Sequence, residues 1–239
     1  GSGASNEDGT INTTKTSAST TSGFSISTYT GNGTSGATIG HGLGVAPSMI
    51  IAKRLNGVED WGVYHKTLGA SKYIILNTTA AESSSTSRWG GVAPTNSVFT
   101  VGSHASVNAS SSTYVAYCFA DVQGFSKFSS YKGNGNADGA FVYTGFKPAF
   151  VMIKNSSAIE SWYILDTKRP GYNTNNYYLL PNTNGAEGTS TTLATSLLSN
   201  GFKINNADTS MNTSGQTYIY MAFAAAPLVG TNDIPANAR

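Results

Sequence analysis

The sequence predicts an all-β fold: two tandem antiparallel β-sandwich-like domains from an internal duplication, with one short helix near residues 192–200. Three observations carry that expectation. The first is the repeat itself, which is sought before any fold is assigned. Gly23-Phe24-Ser25 returns as Gly124-Phe125-Ser126, Tyr29-x-Gly-Asn-Gly as Tyr131-x-Gly-Asn-Gly, and Thr113 to Ala120 as Thr217 to Ala224. Pro47, Lys53, Trp61, Asn77 and Glu82 return as Pro148, Lys154, Trp162, Asn182 and Glu187, and the offset drifts only from 101 to 105 residues. The second observation is that apolar runs are short and end in Gly, Pro or Asn, the residues that punctuate strands and turns. The third is size, since each copy of about 100 residues is large enough for its own core.

In chain order, residues 1–22 hold one large apolar side chain, Ile11, and read as a flexible or subunit-linking arm. The first domain spans 23–122. Phe24 to Tyr29 alternates, with Phe24, Ile26 and Thr28 on one face. Gly-Asn-Gly follows as a turn, because glycine accepts positive φ. Pro47 opens Ser48 to Arg54, too apolar in the middle for an exposed edge. Trp61 to His65, Tyr73 to Leu76, Val98 to Val101 and Thr113 to Ala120 complete the domain.

The second domain, 123–226, repeats the order. Its strands are Phe125 to Tyr131, Phe141 to Tyr143, Ala149 to Lys154, Trp162 to Asp166, Tyr177 to Leu180, Phe202 to Ile204 and Tyr218 to Phe223. It departs from the first copy at Thr192 to Asn200, where Leu193, Leu197 and Leu198 share a helical face and Asn200-Gly201 offers a helix stop. Residues 227–239 lack periodicity and read as a surface or mobile tail.

The composition narrows the function classes. Only 11% of residues are charged, against about 25% in an ordinary globular domain. Ser and Thr number 60, beside 27 Gly and 13 Tyr, a polarity common in extracellular β proteins and virion surfaces. A net charge of +2 without clustered Lys or Arg gives no nucleic-acid footprint. No apolar run approaches the roughly 20 residues that span a bilayer. The single cysteine, Cys118, forms no intrachain disulfide and reads as a small buried hydrophobe, with Ala222 in its place in the second copy.

The duplication also sorts the candidate residues: those shared by both copies serve the common fold, and functional ones sit where the copies differ. Trp61 and Trp162 are structural by this test, with stacking on sugar faces as the alternative. His65 and Asp166 occupy matching strand ends with different chemistry, and His41 and His104 also lack a histidine partner. The histidines have no metal-ligand spacing, so they read as hydrogen-bonded or surface groups, and neither a metal nor a cofactor is expected. Asn134, Asn136 and Asp138 resemble the start of a calcium loop, but Gly145 stands where that loop needs its glutamate, so a polar turn is expected. The candidate ligand-binding set is Trp61, Tyr64, His65, Trp89, Trp162, Asp166, Arg169 and Tyr172. No nucleophile motif or Walker motif is present, and no catalytic residue is assigned.

Several strings together carry a resemblance: Y-T-G-N-G, H-G-L-G-V-A-P, Y-V-A-Y-C-F-A, F-V-Y-T-G-F-K-P-A-F-V-M-I-K and T-Y-I-Y-M-A-F-A. Over residues 23 to about 226 the chain resembles a largely uncharacterised family of tailed-bacteriophage virion proteins, similar to the C-terminal parts of tail fibres or adhesins. The resemblance implies an externally displayed, oligomeric virion component, trimeric if it is a fibre. The expected partners are a bacterial cell-surface glycan or receptor and other virion subunits, without nucleic acid or membrane insertion. The alternatives are a purely structural fibre, filament or capsid-decoration protein, and a polysaccharide depolymerase that cleaves between paired carboxyl groups.

Overall fold

A computed structural model of the chain describes residues 3–169 and 173–225. Strands are its dominant regular structure, and the chain divides into two compact units. One is Gly1–Leu76 with Glu82–Asp121; the other is Val122–Arg239 with the short segment Asn77–Ala81.

The first unit contains β1 (Thr13–Ser19), β2 (Phe24–Thr30), β3 (Ala37–Gly40), β4 (Met49–Arg54), β5 (Gly62–His65), β6 (Lys72–Ile75), β7 (Ser83–Ser84), β8 (Val98–Val101) and β9 (Thr113–Phe119). Two single-turn helices, α1 (Thr86–Trp89) and α2 (Ala105–Asn108), interrupt them. The strands form a seven-stranded sheet in the order β1-β2-β9-β4-β5-β6-β7 and a small sheet of β3 and β8. One core lies between them: Ile50, Tyr114, Ala116 and Cys118 from the large sheet meet Ile39, Phe99 and Val101 from the small one. Burial pushes the Cys118 thiol up to about 12, so it stays protonated and serves as packing.

The amino-terminal arm is the first correction. Its residues build β1, which pairs with β2 from Thr13↔Tyr29 to Ser19↔Phe24, and Ile11 enters the core. The segment succeeds without apolar residues because an edge strand needs backbone hydrogen bonds more than side-chain burial. Its hydroxyls add to the pairing, for Thr16 Oγ1 lies 3.0 Å from Ser27 Oγ. The face of β2 that enters the core is accordingly the one with Ser25, Ser27 and Tyr29, while Phe24, Ile26 and Thr28 are half-buried.

The second unit contains β10 (Ser126–Lys132), β11 (Phe141–Tyr143), β12 (Pro148–Asn155), β13 (Trp162–Asp166), β14 (Tyr177–Tyr178), β15 (Gly188–Thr189), β16 (Thr195–Leu198), β17 (Gly201–Ile204) and β18 (Thr217–Ala224), with α3 (Thr209–Asn212) before the last strand. Its sheets run β10-β18-β12-β13, β11-β17-β16 and β14-β15. Val151, Ile153, Leu165 and Tyr220 pack against Val142, Leu197, Phe202 and Ile204.

The helix expected near 192–200 is the second correction. Thr191–Leu193 makes one 3-10 turn and the rest is β16, whose residues alternate between buried Thr195 and Leu197 and half-buried Ser196 and Leu198. Three leucines fit either period. The strand prevails because β17 pairs with it along its whole length, and Ser199-Asn200 is a two-residue hairpin turn. The tail expected at 227–239 lies outside the described residues.

The shared landmarks have a common cause. Asn108 and Asn212 are fully buried at the ends of α2 and α3, and each side chain holds the Gly-Asn-Gly turn of its unit. Asn108 Oδ1 accepts from Asn32 N at 2.9 Å, and its Nδ2 donates to Thr34 O and Gly102 O, both at 2.9 Å. Asn212 repeats this with Asn134 N at 2.9 Å, Asn136 O at 2.8 Å and Asn206 O at 2.7 Å. Beside each amide two tyrosines stack. Tyr29 and Tyr114 lie 5.2 Å apart at 18°, and Tyr131 and Tyr218 lie 4.9 Å apart at 12°. The Tyr29 hydroxyl donates to Val107 O and that of Tyr131 to Met211 O. Glycine is required in the turn: a Cβ on Gly133 would stand 2.2 Å from Thr213 O, and Gly135 has φ +70°.

The shared lysine is a loop clamp. Lys53 Nζ donates to Glu59 O, while Lys154 is buried and donates to Asn155 O at 2.7 Å and Ala158 O at 3.2 Å. Burial pulls Lys154 down to about 8, partly opposed by Glu160. Asn212→Ala removes the acceptor of the Asn134 amide and the donor to the Asn136 and Asn206 carbonyls, and the buried Asn206 carbonyl left without a partner costs about 1–3 kcal/mol. The expected result is a thermal midpoint lowered by roughly 5–10 °C with faster hydrogen exchange at the Asn134 amide; an unchanged midpoint contradicts the role given to this side chain.

Candidate functional site

The candidate residues divide by burial. Tyr64, His65, Trp89 and Trp162 are buried. Trp89 Nε1 donates to Val63 O at 3.3 Å and its ring meets Tyr64 edge-on at 6.0 Å. Trp162 donates its backbone N–H to Asn182 Oδ1 at 2.9 Å. These four are packing groups and present no ring face to a ligand. Trp61 is half-buried, with Lys53 Nζ 5.9 Å from its ring centroid. Tyr172 lies outside the described residues.

The histidines share one job. Nδ1 accepts a backbone N–H two residues on: from Leu43 to His41 at 3.2 Å, from Thr67 to His65 at 3.3 Å, and from Ser106 to His104 at 3.1 Å. The second unit makes the same short turns with oxygen. Thr144 Oγ1 accepts from Phe146, Asp166 Oδ1 from Lys168 and Asp208 Oδ1 from Ser210. The histidine differences between copies are therefore exchanges of one turn-closing acceptor for another. Accepting at Nδ1 requires a neutral ring with its proton on Nε2, an assignment made from the hydrogen bonds. In His41 that Nε2 faces Thr95 O at 3.1 Å.

The expected polar turn follows the same rule. Asn136 N donates to Asn134 Oδ1 and Asp138 N to Asn136 Oδ1, so the oxygens that resemble a calcium loop close backbone turns. Glu82 is ion-paired with Lys72 and Glu187 with Arg169. Among the described residues no three His, Cys, Asp or Glu side chains gather as a metal site, and no helix is long and apolar enough to cross a membrane.

What does converge lies in the second unit. Arg169 Nε meets Asp166 Oδ2 at 2.8 Å, and its Nη1 contacts Glu187 Oε2. Asp166 is placed by the end of β13 and by Asn175, whose Nδ2 donates to Asp166 O at 2.8 Å. Beside this chain of charges the β14–β15 hairpin carries Tyr177 and Tyr178, both half-buried. Tyr178 lies against Gly188, where a Cβ would come within 2.5 Å of the ring. Two carboxylates held by one guanidinium present donors and acceptors at fixed positions, suited to a polyhydroxylated ligand. Sequence reasoning found Asp166 and Arg169 but not Glu187, because a salt bridge 18 residues apart leaves no local spacing.

Burial holds His41 and His104 below the usual imidazole range, and the Arg88 charge lowers His104 further. The unfolded chain therefore takes up protons at these sites before the folded chain does, and stability falls as pH drops below about 6.5. His104→Asp, which installs the cap used at Asp208, is expected to weaken that fall between pH 7 and 5.5 in urea titrations. An unaltered slope sinks the assignment.

The model of the family described as Domain of unknown function (DUF7483) matches residues 1–227. No curated protein and no solved structure matches the chain. With β1 and both repeats inside the matched span, the chain belongs to the DUF7483 family.

Proposed function

We propose that the chain is an externally displayed component of a phage virion, a distal tail-fibre or adhesin module that binds a bacterial surface glycan. The reading rests on the cluster of Asp166, Arg169 and Glu187 beside the tyrosines of the β14–β15 hairpin. Among the described residues the first unit shows no such cluster: His65 stands at the position of Asp166 and Glu82 pairs with Lys72. A weakly charged chain rich in Tyr, Asn and Ser supports the same reading, because these residue types suit adaptable polar recognition. The motif strings that resemble phage virion proteins supply the setting.

The cluster favours binding over cleavage, since both carboxylates are already engaged by one guanidinium. Purified chain applied to host cells and to a glycan array is expected to bind, and Arg169→Ala to weaken binding about tenfold. Wild-type chain that binds neither, while assembling into fibres or multimers, supports the purely structural alternative and ends this reading. Shortened polysaccharide after incubation identifies a depolymerase instead.

A further inference from the structure

The three-stranded sheet of the second unit has an outer face that the core does not explain. Register fixes which side chains share it. Val142, Phe202 and Leu197 stand in one row and are buried. The neighbouring rows, Phe141–Lys203–Ser196 and Tyr143–Gly201–Leu198, therefore point the other way. Phe141 and Tyr143 are 48% and 65% exposed there. Both rings rest on glycine. A Cβ on Gly201 would stand 3.0 Å from Phe141 Cζ, and one on Gly145 would stand 3.5 Å from the Tyr143 hydroxyl. The two side chains share this face and leave the strand about one two-residue repeat apart, roughly 7 Å.

The first unit supplies the control. There the matching strand is β3, with Thr38 in the place of Phe141 and Gly40 in the place of Tyr143. Its own amino-terminal segment covers them: Thr10 and Thr38 exchange hydrogen bonds of 2.9 Å, and a Cβ on Gly40 would come within 1.6 Å of Asn6 Oδ1. The fold is thus satisfied by Thr and Gly at these positions. The second unit has replaced them with two aromatic side chains and left those exposed. An aromatic ring carries about 150–250 Å² of surface whose exposure to water gives no stability.

We infer that Phe141 and Tyr143 form a stacking subsite for a neutral saccharide. This inference rests on the glycan-binding reading above and assigns it a second place on the same unit. An exposed aromatic ring accepts the C–H face of a pyranose, as an indole or phenol accepts any apolar face with a polar rim, and two such rings share this face. The rim is present: Lys203 Nζ is paired with Asp138 Oδ1, and Asn205 Nδ2 donates to Ser196 Oγ at 2.6 Å. One cation and one anion leave the rim without net charge, which matches an uncharged polyol better than an acidic polymer.

The test uses the full chain with maltotriose, cellotriose and triacetylchitotriose as probes and dextran sulfate as the acidic comparison. The variant Phe141→Thr with Tyr143→Gly carries the first unit's residues; Phe141→Leu with Tyr143→Leu keeps the glycines covered and serves if the first fails to fold. Binding followed by saturation-transfer NMR is expected for at least one neutral trisaccharide, with a loss of at least tenfold in either double variant. Wild-type binding that survives both variants overturns the subsite and leaves the glycan reading standing. Binding of none of the neutral trisaccharides by the wild type overturns the subsite, the glycan reading falling only if host cells and the glycan array also go unbound, and tighter binding of dextran sulfate than of every neutral probe overturns the assignment of a neutral ligand.

Discussion

One buried amide in each unit holds the architecture together. Asn108 and Asn212 each join a Gly-Asn-Gly turn, a single-turn helix and the loop before it. Removing such a side chain strands several backbone groups at once, so its effect exceeds that of any one hydrogen bond. The stacked tyrosines beside it tie the first strand of a repeat to its last: Tyr29 to Tyr114 and Tyr131 to Tyr218. Each hydroxyl in turn binds a carbonyl of the helix. That geometry explains why Tyr-x-Gly-Asn-Gly near the start of a repeat travels with Thr-Tyr near its end.

The same economy governs what differs between the copies. A difference in residue type is not a difference in role when both residues close the same turn, as His41 and Thr144, His65 and Asp166, and His104 and Asp208 do. Differences in exposure are more informative. Phe141 and Tyr143 are open where Thr38 and Gly40 are covered. Asp166 closes its turn with one oxygen and meets Arg169 with the other, so it serves the fold and the surface cluster together.

Much of the fold was legible because strand period and turn chemistry agree along most of the chain. Val98–Val101, Phe141–Tyr143 and Trp162–Asp166 begin and end where the apolar runs do. The strand β1 was not legible, because its polar residues TTKTSAS are held by edge hydrogen bonds and not by a buried face. The helices α2 and α3 escaped because a single turn shows no period; the signal was the recurrence of Ser106-x-Asn108 as Ser210-x-Asn212. For the site, tryptophan was a misleading guide. Its size marks burial as readily as binding, and Trp89 and Trp162 are core residues. Exposure of Phe141 and Tyr143 depends on what does not cover β11, which no local pattern encodes.

The central claim is that a buried hub of one amide and two stacked tyrosines stands at the same place in each repeat. Burial raises the hydroxyl groups of Tyr29 and Tyr131 well above the ordinary tyrosine value, with the neighbouring Tyr114 and Tyr218 adding to it. A pH titration followed by NMR of ¹³Cζ-labelled tyrosine reads both directly. The account predicts that the Tyr29 and Tyr131 signals keep their phenol shifts for as long as the chain stays folded. Ionisation of either near pH 10 in folded protein would show an open hub and contradict it.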